Sequence, residues 1–387
     1  MNLLIISHKE TWRDPHSPSG YATVGGFPFQ VRAIAELFDS TTLMTPLYTT
    51  PLPAGALPIT AHNLQLIPLT KPKGSGWQRK IAMLWWSARH APILWREMRR
   101  ADALHAPVPG DIGGIAILLA LALRKPLFVR HCGTWRAPRS LADRLLFWLL
   151  EHIAGGKNVV LATGGAAQPP SARNPHIQWI FSTSLTRAEL EALPSARPWS
   201  PSQPLRLVMV GRLSQSKNIQ AIVCALPAVR AHYPQITLDI VGEGEYRSTL
   251  EQIVTELGLQ TYITFHGNLS HSAVLQALSN SHLFVFPSLR EGFPKAVLEA
   301  LACGLPVIAS DVSVLPHLLA SCGVILPVPD AQHVAAAVLE LLKDPLRWQA
   351  MSDQARQTAR NYTLEAWGEQ IALHLQAAWQ TELRSAA

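Results

Sequence analysis

Two glutamates stand eight residues apart in the stretch 290–310, which reads REGFPKAVLEALACGLPVIAS. Glu291 sits before a Gly-Phe-Pro turn, and Glu299 lies inside the apolar run 296–302. A buried carboxylate is costly unless it is paired or hydrogen-bonded, so Glu299 predicts a partner or a ligand. The hydroxyl groups of a sugar or a ribose would supply paired donors. For Glu291 the alternative is capping of the following helix, whose dipole favours an acid at that end.

Two cations form a second candidate site in the stretch 208–218, VMVGRLSQSKN. Arg212 and Lys217 follow a predicted strand and precede a predicted helix. Two cations beside a helix N-terminus are typical of an anion site, although an isolated Arg–Lys pair is as often a solvated loop. Gly242 and Gly244 follow the next strand, but the third glycine of a dinucleotide fingerprint is replaced by Arg247. This pattern indicates a tight turn through which backbone approaches a ligand, and it disfavours NAD binding.

The elements that must position these side chains alternate between short apolar runs and amphipathic stretches. The predicted strands are 3–6, 103–106, 127–129, 159–162, 205–210, 236–241, 263–266, 283–287 and 306–310. The predicted helices are 30–38, 115–123, 141–153, 219–232, 250–257, 271–280, 294–303 and 331–342. Such alternation indicates parallel sheets built from βαβ units. We therefore expect an α/β protein with two Rossmann-like domains facing a central cleft at the carboxyl ends of their strands.

Bulk properties narrow the class of protein. A chain of 387 residues exceeds one comfortable core, and four prolines in the stretch 192–204 indicate a linker. The four cysteines show no CxxC spacing and predict reduced thiols rather than a disulfide frame or a zinc site. The longest apolar run, 115–123, is too short for a membrane span, so we expect a soluble or peripheral protein. Residues 1–200 carry 21 Lys and Arg against 11 Asp and Glu, which suggests an anionic partner: nucleic acid, a phosphate-bearing substrate or an acidic membrane.

The motifs together resemble one family. The stretch SLREGFPKAVLEALACGLPVIAS is similar to the EGFP…LLEAMACGxPVIAS signature of glycosyltransferase family 4, the group 1 retaining transferases of GT-B fold. The segments VGRLSQSKN, VGEGEYR and HGNLSH fit the same pattern in the same order, and the resemblance is strong over residues 205–343. It is weaker over the first half, where GGFPFQVRAIAEL resembles the family's Gly-Gly loop and first helix.

The resemblance implies a role for each matching residue in binding a nucleotide diphosphate sugar. Glu299 would accept the ribose hydroxyls, Glu291 the hydroxyls of the sugar, and Arg212 and Lys217 would hold the diphosphate and stabilise it as it departs. The remaining implied donor-binding residues are Gly25, Gly26, Gly242, Leu269 (against the base), Gly292, Phe293 and Lys295. His131 would contact the donor sugar at the end of a strand in the first half, and whether it is catalytic stays open. We expect His131, Arg212, Lys217 and Glu291 to form the catalytic set.

The resemblance also implies that the protein needs no metal or other cofactor. The chain has no DxD motif, and the two cations of the candidate anion site would take the place of a divalent ion. Two departures from the family pattern stand out. Ser313 and Val314 replace part of a Gly-rich loop, which puts that loop's contact with the sugar in doubt. Lys295 replaces a more usual Asn and adds a positive charge near the donor.

The sequence predicts three segments: an acceptor-binding domain over 1–198, a nucleotide-sugar-binding domain over 199–363, and a helix over 364–387 that packs back on the first domain. The predicted function is a retaining, metal-independent hexosyltransferase that acts on a glycan or lipid-linked acceptor in cell-surface polysaccharide synthesis, with no nucleic-acid partner. The alternatives are a non-catalytic subunit that binds nucleotide sugars, and an epimerase or hydrolase of the same fold.

The segment 70–100 bears on where the protein works. It holds eight of the chain's 33 basic residues and four of its 12 tryptophans. At helical spacing one apolar face contains Trp77, Ile81, Leu84, Trp85 and Ala88. One interpretation packs this face on the first domain's sheet. The other makes it a contact with anionic lipid, which would place a cytoplasmic protein on the inner face of the plasma membrane.

Overall fold

The computed structural model describes residues 1–53, 55–74, 76–133, 135, 140–166, 168–194, 199–200 and 203–384. The chain divides into two compact units. Unit 1 contains Met1–Ser184 and Leu364–Ala387, and unit 2 contains Leu185–Thr363. The expected division at 198/199 differs from this one because the helix that follows Ser184 already packs within unit 2. Much of the predicted linker, 195–198 and 201–202, lies outside the described residues.

Unit 1 is built on a mixed sheet with helices around it. Its strands are β1 (Asn2–Ile6), β2 (Thr11–Arg13), β3 (Tyr21–Thr23), β4 (Ser40–Tyr48), β5 (Leu57–Pro58), β6 (Leu64–Thr70), β7 (Ala103–Val108), β8 (Leu127–His131), β9 (Asn158–Thr163) and β10 (Ile177–Ile180). Its helices are α1 (Phe27–Ala35), α2 (Gly76–Arg100), α3 (Asp111–Ala122), α4 (Leu141–Ile153) and α13 (Leu364–Trp379). The strand order is β10-β9-β8-β7-β1-β4-β2-β3-β5, and β6 pairs with β4. The central strands β1, β7 and β8 are almost wholly buried, as parallel strands covered on both faces should be.

Unit 2 is built on a six-stranded parallel sheet. Its strands are β11 (Arg206–Val210), β12 (Thr237–Val241), β13 (Ile263–Gly267), β14 (Leu283–Phe286), β15 (Val307–Ser310) and β16 (Gly323–Leu326). Its helices are α5 (Arg187–Ala192), α6 (Ile219–Arg230), α7 (Arg247–Glu256), α8 (His271–Ser279), α9 (Lys295–Ala302), α10 (Leu315–Leu318), α11 (Ala331–Leu342) and α12 (Pro345–Arg360). The order β13-β12-β11-β14-β15-β16 reverses direction between β11 and β14. Ligands of open parallel sheets bind at such a reversal, beyond the carboxyl ends of the strands.

Every strand predicted from the sequence is present, within one residue or so at each end, except that β7 and β8 each continue two residues further. Helices α4 and α11 begin and end where predicted, whereas α1 and α3 begin three or four residues earlier than expected. Pro294 is the N-cap residue of α9 rather than its first helical residue, with ψ of 93°. The strand β4 and helix α12 were not predicted, because β4 is interrupted by Pro46 and α12 has few apolar residues.

The helix α2 turns the predicted apolar face outward. Its buried residues are Met83, Trp86, His90, Leu94, Glu97 and Met98, which pack into the core of unit 1. Leu84 and Trp85 of the predicted face are 72% and 77% exposed. The interpretation that this face packs on the sheet is therefore wrong. The structure does not describe the side chain of Trp77.

Candidate functional site

Unit 2 gathers the charged candidates at the reversal of its sheet. Arg212 and Lys217 follow β11, and Glu291 follows β14, which is the neighbouring strand. Lys217 ends a short 3₁₀ turn at Gln215–Lys217, after which Asn218 leads into α6. The loops that the sequence placed far apart along the chain therefore meet at one edge of the sheet.

A largely buried ion pair lies at the centre of this edge. Lys217 Nζ donates to Glu291 Oε1 over 2.5 Å, and the side chains are only 20% and 8% exposed. The ammonium also lies 5.0 Å from the centroid of the Phe286 ring, the last residue of β14. Glu291 therefore pairs with a cation, and α9 has no side-chain hydrogen bond at its N-cap. The alternative that Glu291 serves only as a helix cap is not supported.

Several polar side chains brace the loops around the ion pair. Asn218 adopts a left-handed backbone (φ 52°) and donates from Nδ2 to the carbonyls of Pro287 and Pro329. Ser313, where the family pattern has part of a glycine-rich loop, also has positive φ (54°) and donates from Oγ to Gly292 O over 2.7 Å. Ser313 thus takes a backbone conformation that glycine adopts most readily. Its hydroxyl holds the turn after Glu291 in place.

The glycine pair after β12 is explained by packing against a neighbouring loop. A Cβ on Gly242 would lie 2.0 Å from Gly211 O, and one on Gly244 would lie 2.2 Å from Leu213 O. Gly242 also has φ of 134°. The lack of a side chain at both positions is therefore required by the loop after β11, which carries Arg212. Contact between Gly242 and a donor stays a prediction.

Glu299 lies in the middle of α9, and a histidine from the preceding helix, α8, faces it. The carboxylate is 13% exposed, and Oε1 lies 3.6 Å from Nδ1 of His271, the first residue of α8. Burial raises the pKa of Glu299, against the opposing effects of His271 and Lys295. The partner that a buried carboxylate requires is therefore His271. The sequence offered no signal for it, because the contact depends on how α8 packs against α9.

The other predicted donor residues of unit 2 surround these groups. Arg212 is exposed, whereas Leu269 and Phe293 are partly buried against the core of the unit. The ring of Phe293 lies 6.1 Å from that of Tyr362. Lys295 begins α9 and is partly exposed. Leu269 follows β13, so polar and apolar candidates follow four adjacent strands of the sheet.

Unit 1 carries a different kind of strand end. His131, the last residue of β8, is 4% exposed, and its ring meets those of Trp135 and Phe147 at 5.2 and 5.1 Å. Its Nδ1 lies 3.0 Å from Gly133 O. Burial lowers the pKa of His131 to about 4, so the imidazole is neutral at pH 7.

The Gly25–Gly26 loop of unit 1 has open space around it. Gly25 has φ of 76° and nothing within 4 Å of an added Cβ, and Gly26 is the N-cap residue of α1. The space beside Gly25 is therefore clear of neighbouring atoms. The roles of Gly25, Gly26 and His131 in donor binding stay predictions.

The described residues were also compared with what a metal site, a membrane-spanning helix and a disulfide would require. No group of three or more His, Cys, Asp or Glu side chains among them is placed to hold a metal ion. Within the same residues, no helix combines the length and the apolar character that crossing a bilayer requires. All four cysteines are free, two of them exposed and two buried.

Comparison with known proteins shows which family part of the chain is similar to. Residues 196–361 match the family model described as glycosyl transferases group 1. The chain is 26% identical over 310 residues to alpha-D-kanosaminyltransferase of Streptomyces kanamyceticus, covering 75% of this chain and 80% of that protein. It is 33% identical over 156 residues to a glycogen synthase of Mycobacterium tuberculosis, covering 40% of this chain and 38% of the relative.

Solved structures confirm the GT-B fold. Sucrose-phosphate synthase from Thermosynechococcus elongatus matches with a TM-score of 0.67 and 19% identity, covering 98% of this chain and 99% of that one. HepE of Anabaena, solved in complex with UDP, matches with a TM-score of 0.70 and 16% identity, covering 97% of this chain and all of that one. The fold implied by the sequence motifs is therefore confirmed, and residues 196–361 match the implied family.

Proposed function

We propose that the protein is a retaining glycosyltransferase that moves a sugar from a nucleoside diphosphate sugar to a hydroxyl group of a glycan or lipid-linked acceptor. The observation that carries the proposal is the edge of the unit 2 sheet, where a largely buried Lys217–Glu291 pair and a buried Glu299 flank the reversal of strand order. A diphosphate supplies an anion for the lysine, and sugar hydroxyls supply donors for the glutamates.

In this proposal the basic residues bind the diphosphate and the acidic residues bind the hydroxyl groups. Arg212 and Lys217 bind the diphosphate and stabilise the negative charge that develops on it as the glycosidic bond breaks, which is an electrostatic contribution of several kcal/mol in comparable sites. Glu299 accepts hydrogen bonds from the ribose hydroxyls, and Glu291 accepts those of the sugar. We propose that these two cations make a divalent metal unnecessary. HepE was solved with UDP, which supports a nucleoside diphosphate as the leaving group.

The test is a panel of nucleotide sugars screened for thermal stabilisation, followed by product analysis with candidate acceptors. A nucleotide sugar that raises the melting temperature and gives an α-linked product from an α-linked donor supports the proposal. Turnover that survives EDTA supports the metal-free mechanism, and an absolute requirement for Mn²⁺ or Mg²⁺ refutes it. Conversion of the donor without an acceptor would instead indicate the epimerase or hydrolase alternative, and binding without any turnover would indicate a non-catalytic subunit.

We also propose that α2 holds the transferase on the inner face of the plasma membrane, where a lipid-linked acceptor of cell-surface polysaccharide synthesis would be available. The exposed apolar residues Ile81, Leu84, Trp85 and Trp95 share one side of the helix. This stripe continues into an apolar groove of about 500 Å³ between α2 and α3, lined in part by Ala91 and Ile115.

Basic residues border the same stripe. Lys80, Arg89, Arg96, Arg99 and Arg100 are all exposed on α2. Exposed tryptophan and leucine flanked by cations is the pattern of a helix that lies in the membrane interface. Each basic residue near an anionic surface contributes about 1 kcal/mol.

Flotation with anionic and with neutral vesicles tests this surface. The wild type should float with anionic vesicles at low salt and lose binding as salt rises. A Leu84→Ser, Trp85→Ser variant and a Lys71, Lys73, Arg79, Lys80→Ser variant should both bind more weakly. A wild type that stays free of anionic vesicles at low salt would show that the acceptor is not reached through this face.

A further inference from the structure

His271 lies between two carboxylates that come from different helices. Its Nε2 is 3.4 Å from Glu189 Oε1 in α5, and its Nδ1 is 3.6 Å from Glu299 Oε1 in α9. The histidine and Glu189 side chains are about one-third exposed, and Glu299 is 13% exposed. Both distances are in the range of ion pairs, at or beyond the limit of good hydrogen bonds. The imidazole therefore interacts with both carboxylates mainly through its charge.

The first of these carboxylates is itself held rigidly. Glu189 Oε2 accepts from the backbone N–H and the hydroxyl of Thr186, at 2.9 and 2.8 Å, in a capping box at the start of α5. Arg356 of α12 donates to the carbonyls of Leu190, Leu193 and Pro194 at the other end of this short helix. Helix α5 is the first element of unit 2 after the chain leaves unit 1. The ring of His271 therefore contacts a carboxylate, Glu189, whose own position is fixed.

The two carboxylates favour a charged imidazole. The contact with Glu189 raises the pKa of His271, with Glu299 acting in the same direction and burial and Lys295 against it. Burial alone would raise the pKa of Glu189, but the contacts with His271 and Thr186 outweigh it and lower the pKa to about 2. Because Glu189 stays ionised, it favours a positive charge on the ring that faces Glu299.

We propose that His271 is a positioning residue for the donor site: held by Glu189, it keeps Glu299 oriented and ionised so that this carboxylate can accept the ribose hydroxyls. This inference rests on the proposed function, because it concerns the carboxylate assigned to the ribose. A protonated Glu299 would lose one of its acceptor positions and bind a diol less well. The charged groups around the ring are Glu189 of α5 and Glu299 and Lys295 of α9.

Binding of nucleoside diphosphates as a function of pH tests the proposal. UDP, GDP and ADP are titrated calorimetrically into the wild type, and the tightest binder is followed between pH 5.5 and pH 9 in His271→Gln. Without the imidazolium, the pKa of Glu299 should rise further, so weakened binding should appear at the acidic end. We expect the ratio of Kd to that of wild type to rise as the pH falls, by at most about tenfold for each unit by which the pKa of Glu299 rises, and to be near one at pH 9.

Two further variants separate charge from packing. His271→Lys keeps a cation at every pH and should restore much of the binding at pH 6. Glu189→Gln removes the group that raises the pKa of His271, so weakening should appear at an intermediate pH. His333→Gln serves as the matched control, because His333 also pairs with a carboxylate, Asp330, at the start of a helix. It should leave Kd unchanged at every pH.

The outcomes are distinguishable. If His271→Gln raises Kd by the same factor at every pH, or not at all, the positioning role is wrong. If the wild type binds none of the three nucleotides, the proposed function fails instead. The pairing itself is then checked by NMR titration of the histidine side chains, in which the pKa of His271 should fall in both Glu189→Gln and Glu299→Gln. An unchanged His271 pKa in those two variants would overturn the inference independently of any ligand.

Discussion

The two units differ in the charge of the side chains at the ends of their strands. In unit 2, charged side chains meet in pairs, Lys217 with Glu291 and His271 with Glu299. In unit 1, the strand end holds a neutral imidazole, His131, enclosed by aromatic rings. The unit 2 edge is therefore charged and internally compensated, whereas the end of β8 in unit 1 is neutral and largely apolar.

The difference indicates what each edge can offer a ligand. A buried charge that loses its partner is strongly destabilising, so a ligand that separates Lys217 from Glu291 must replace both halves of the pair. A sugar diphosphate has that composition, with anionic oxygens for the lysine and hydroxyl donors for the glutamate. A neutral buried histidine offers one donor and one acceptor and no charge, which is suited to orienting an uncharged hydroxyl.

The largest expected effect comes from removing the cation of the unit 2 pair. Lys217→Ala should lower kcat about 10²–10³-fold, as loss of one oxyanion-stabilising donor does elsewhere, with a smaller change in donor binding because charge builds up in the transition state. Steady-state kinetics with the donor identified by the screen measure both. Lys343→Ala, at the exposed end of α11, is the control. A variant that raises KM while keeping kcat would place the lysine in ground-state binding alone.

The glycines of the two units should respond differently to the same substitution. Gly242→Ala forces a Cβ against Gly211 O in a left-handed backbone, and we expect it to cost about 3 kcal/mol or more of stability. Gly25→Ala has the same backbone problem in open space, so it should cost about 1–2 kcal/mol. Thermal unfolding of both variants measures the difference. Equal losses would show that the packing of the two loops does not differ as described.

The next largest expected effect is the loss of nucleotide affinity when Glu299 is replaced. Glu299→Ala removes a charged acceptor from the assigned ribose site, which should weaken binding of the nucleotide by about 1.5–3 kcal/mol. Glu340→Ala, on the exposed side of α11, controls for the loss of one negative charge. Unchanged affinity in a folded Glu299→Ala protein would remove the ribose assignment and leave only the structural pairing with His271.

Sequence reasoning reached furthest where the pattern is local in the chain. Glu299 stands out because it interrupts an apolar run, and Arg212, Lys217 and Glu291 because they lie in loops that follow predicted strands. Their roles stay predictions. The family resemblance and the fold followed from motifs that are continuous in sequence. The alternating pattern also placed the central strands, since buried parallel strands are uninterrupted apolar runs.

What the sequence missed depends on contacts between distant segments. His271 and Glu189 are separated by 82 positions and meet only through the folding of unit 2. Ser313 was noted as a departure from the family pattern, but its bond to Gly292 O could not be derived from its position. The outward face of α2 was mistaken for a packed face in one interpretation, because helical periodicity shows that an apolar stripe exists and not what covers it.

The smallest expected effect tests whether the histidine of unit 1 is neutral as its surroundings require. Because burial lowers the folded-state pKa of His131 to about 4, the folded state resists protonation that the unfolded chain accepts near pH 6.5. Stability from this group is therefore complete above pH 6.5 and is lost as the pH falls towards 4, amounting to about 2 kcal/mol between pH 7 and pH 5. His131→Phe should remove that share of the pH dependence, so its melting temperature should fall less on acidification than that of the wild type.

His271, whose pKa is raised, has the opposite effect on stability. Its contribution is present below pH 6.5 and is lost as the pH rises through its folded-state pKa. The melting temperature of His271→Gln should therefore fall more steeply on acidification than that of the wild type. Melting curves of the three proteins at pH 5, 6 and 7 compare the slopes directly. Parallel slopes for the wild type and His131→Phe would mean that the imidazole titrates normally in the folded protein, and the contrast between a neutral and a charged strand end would not hold.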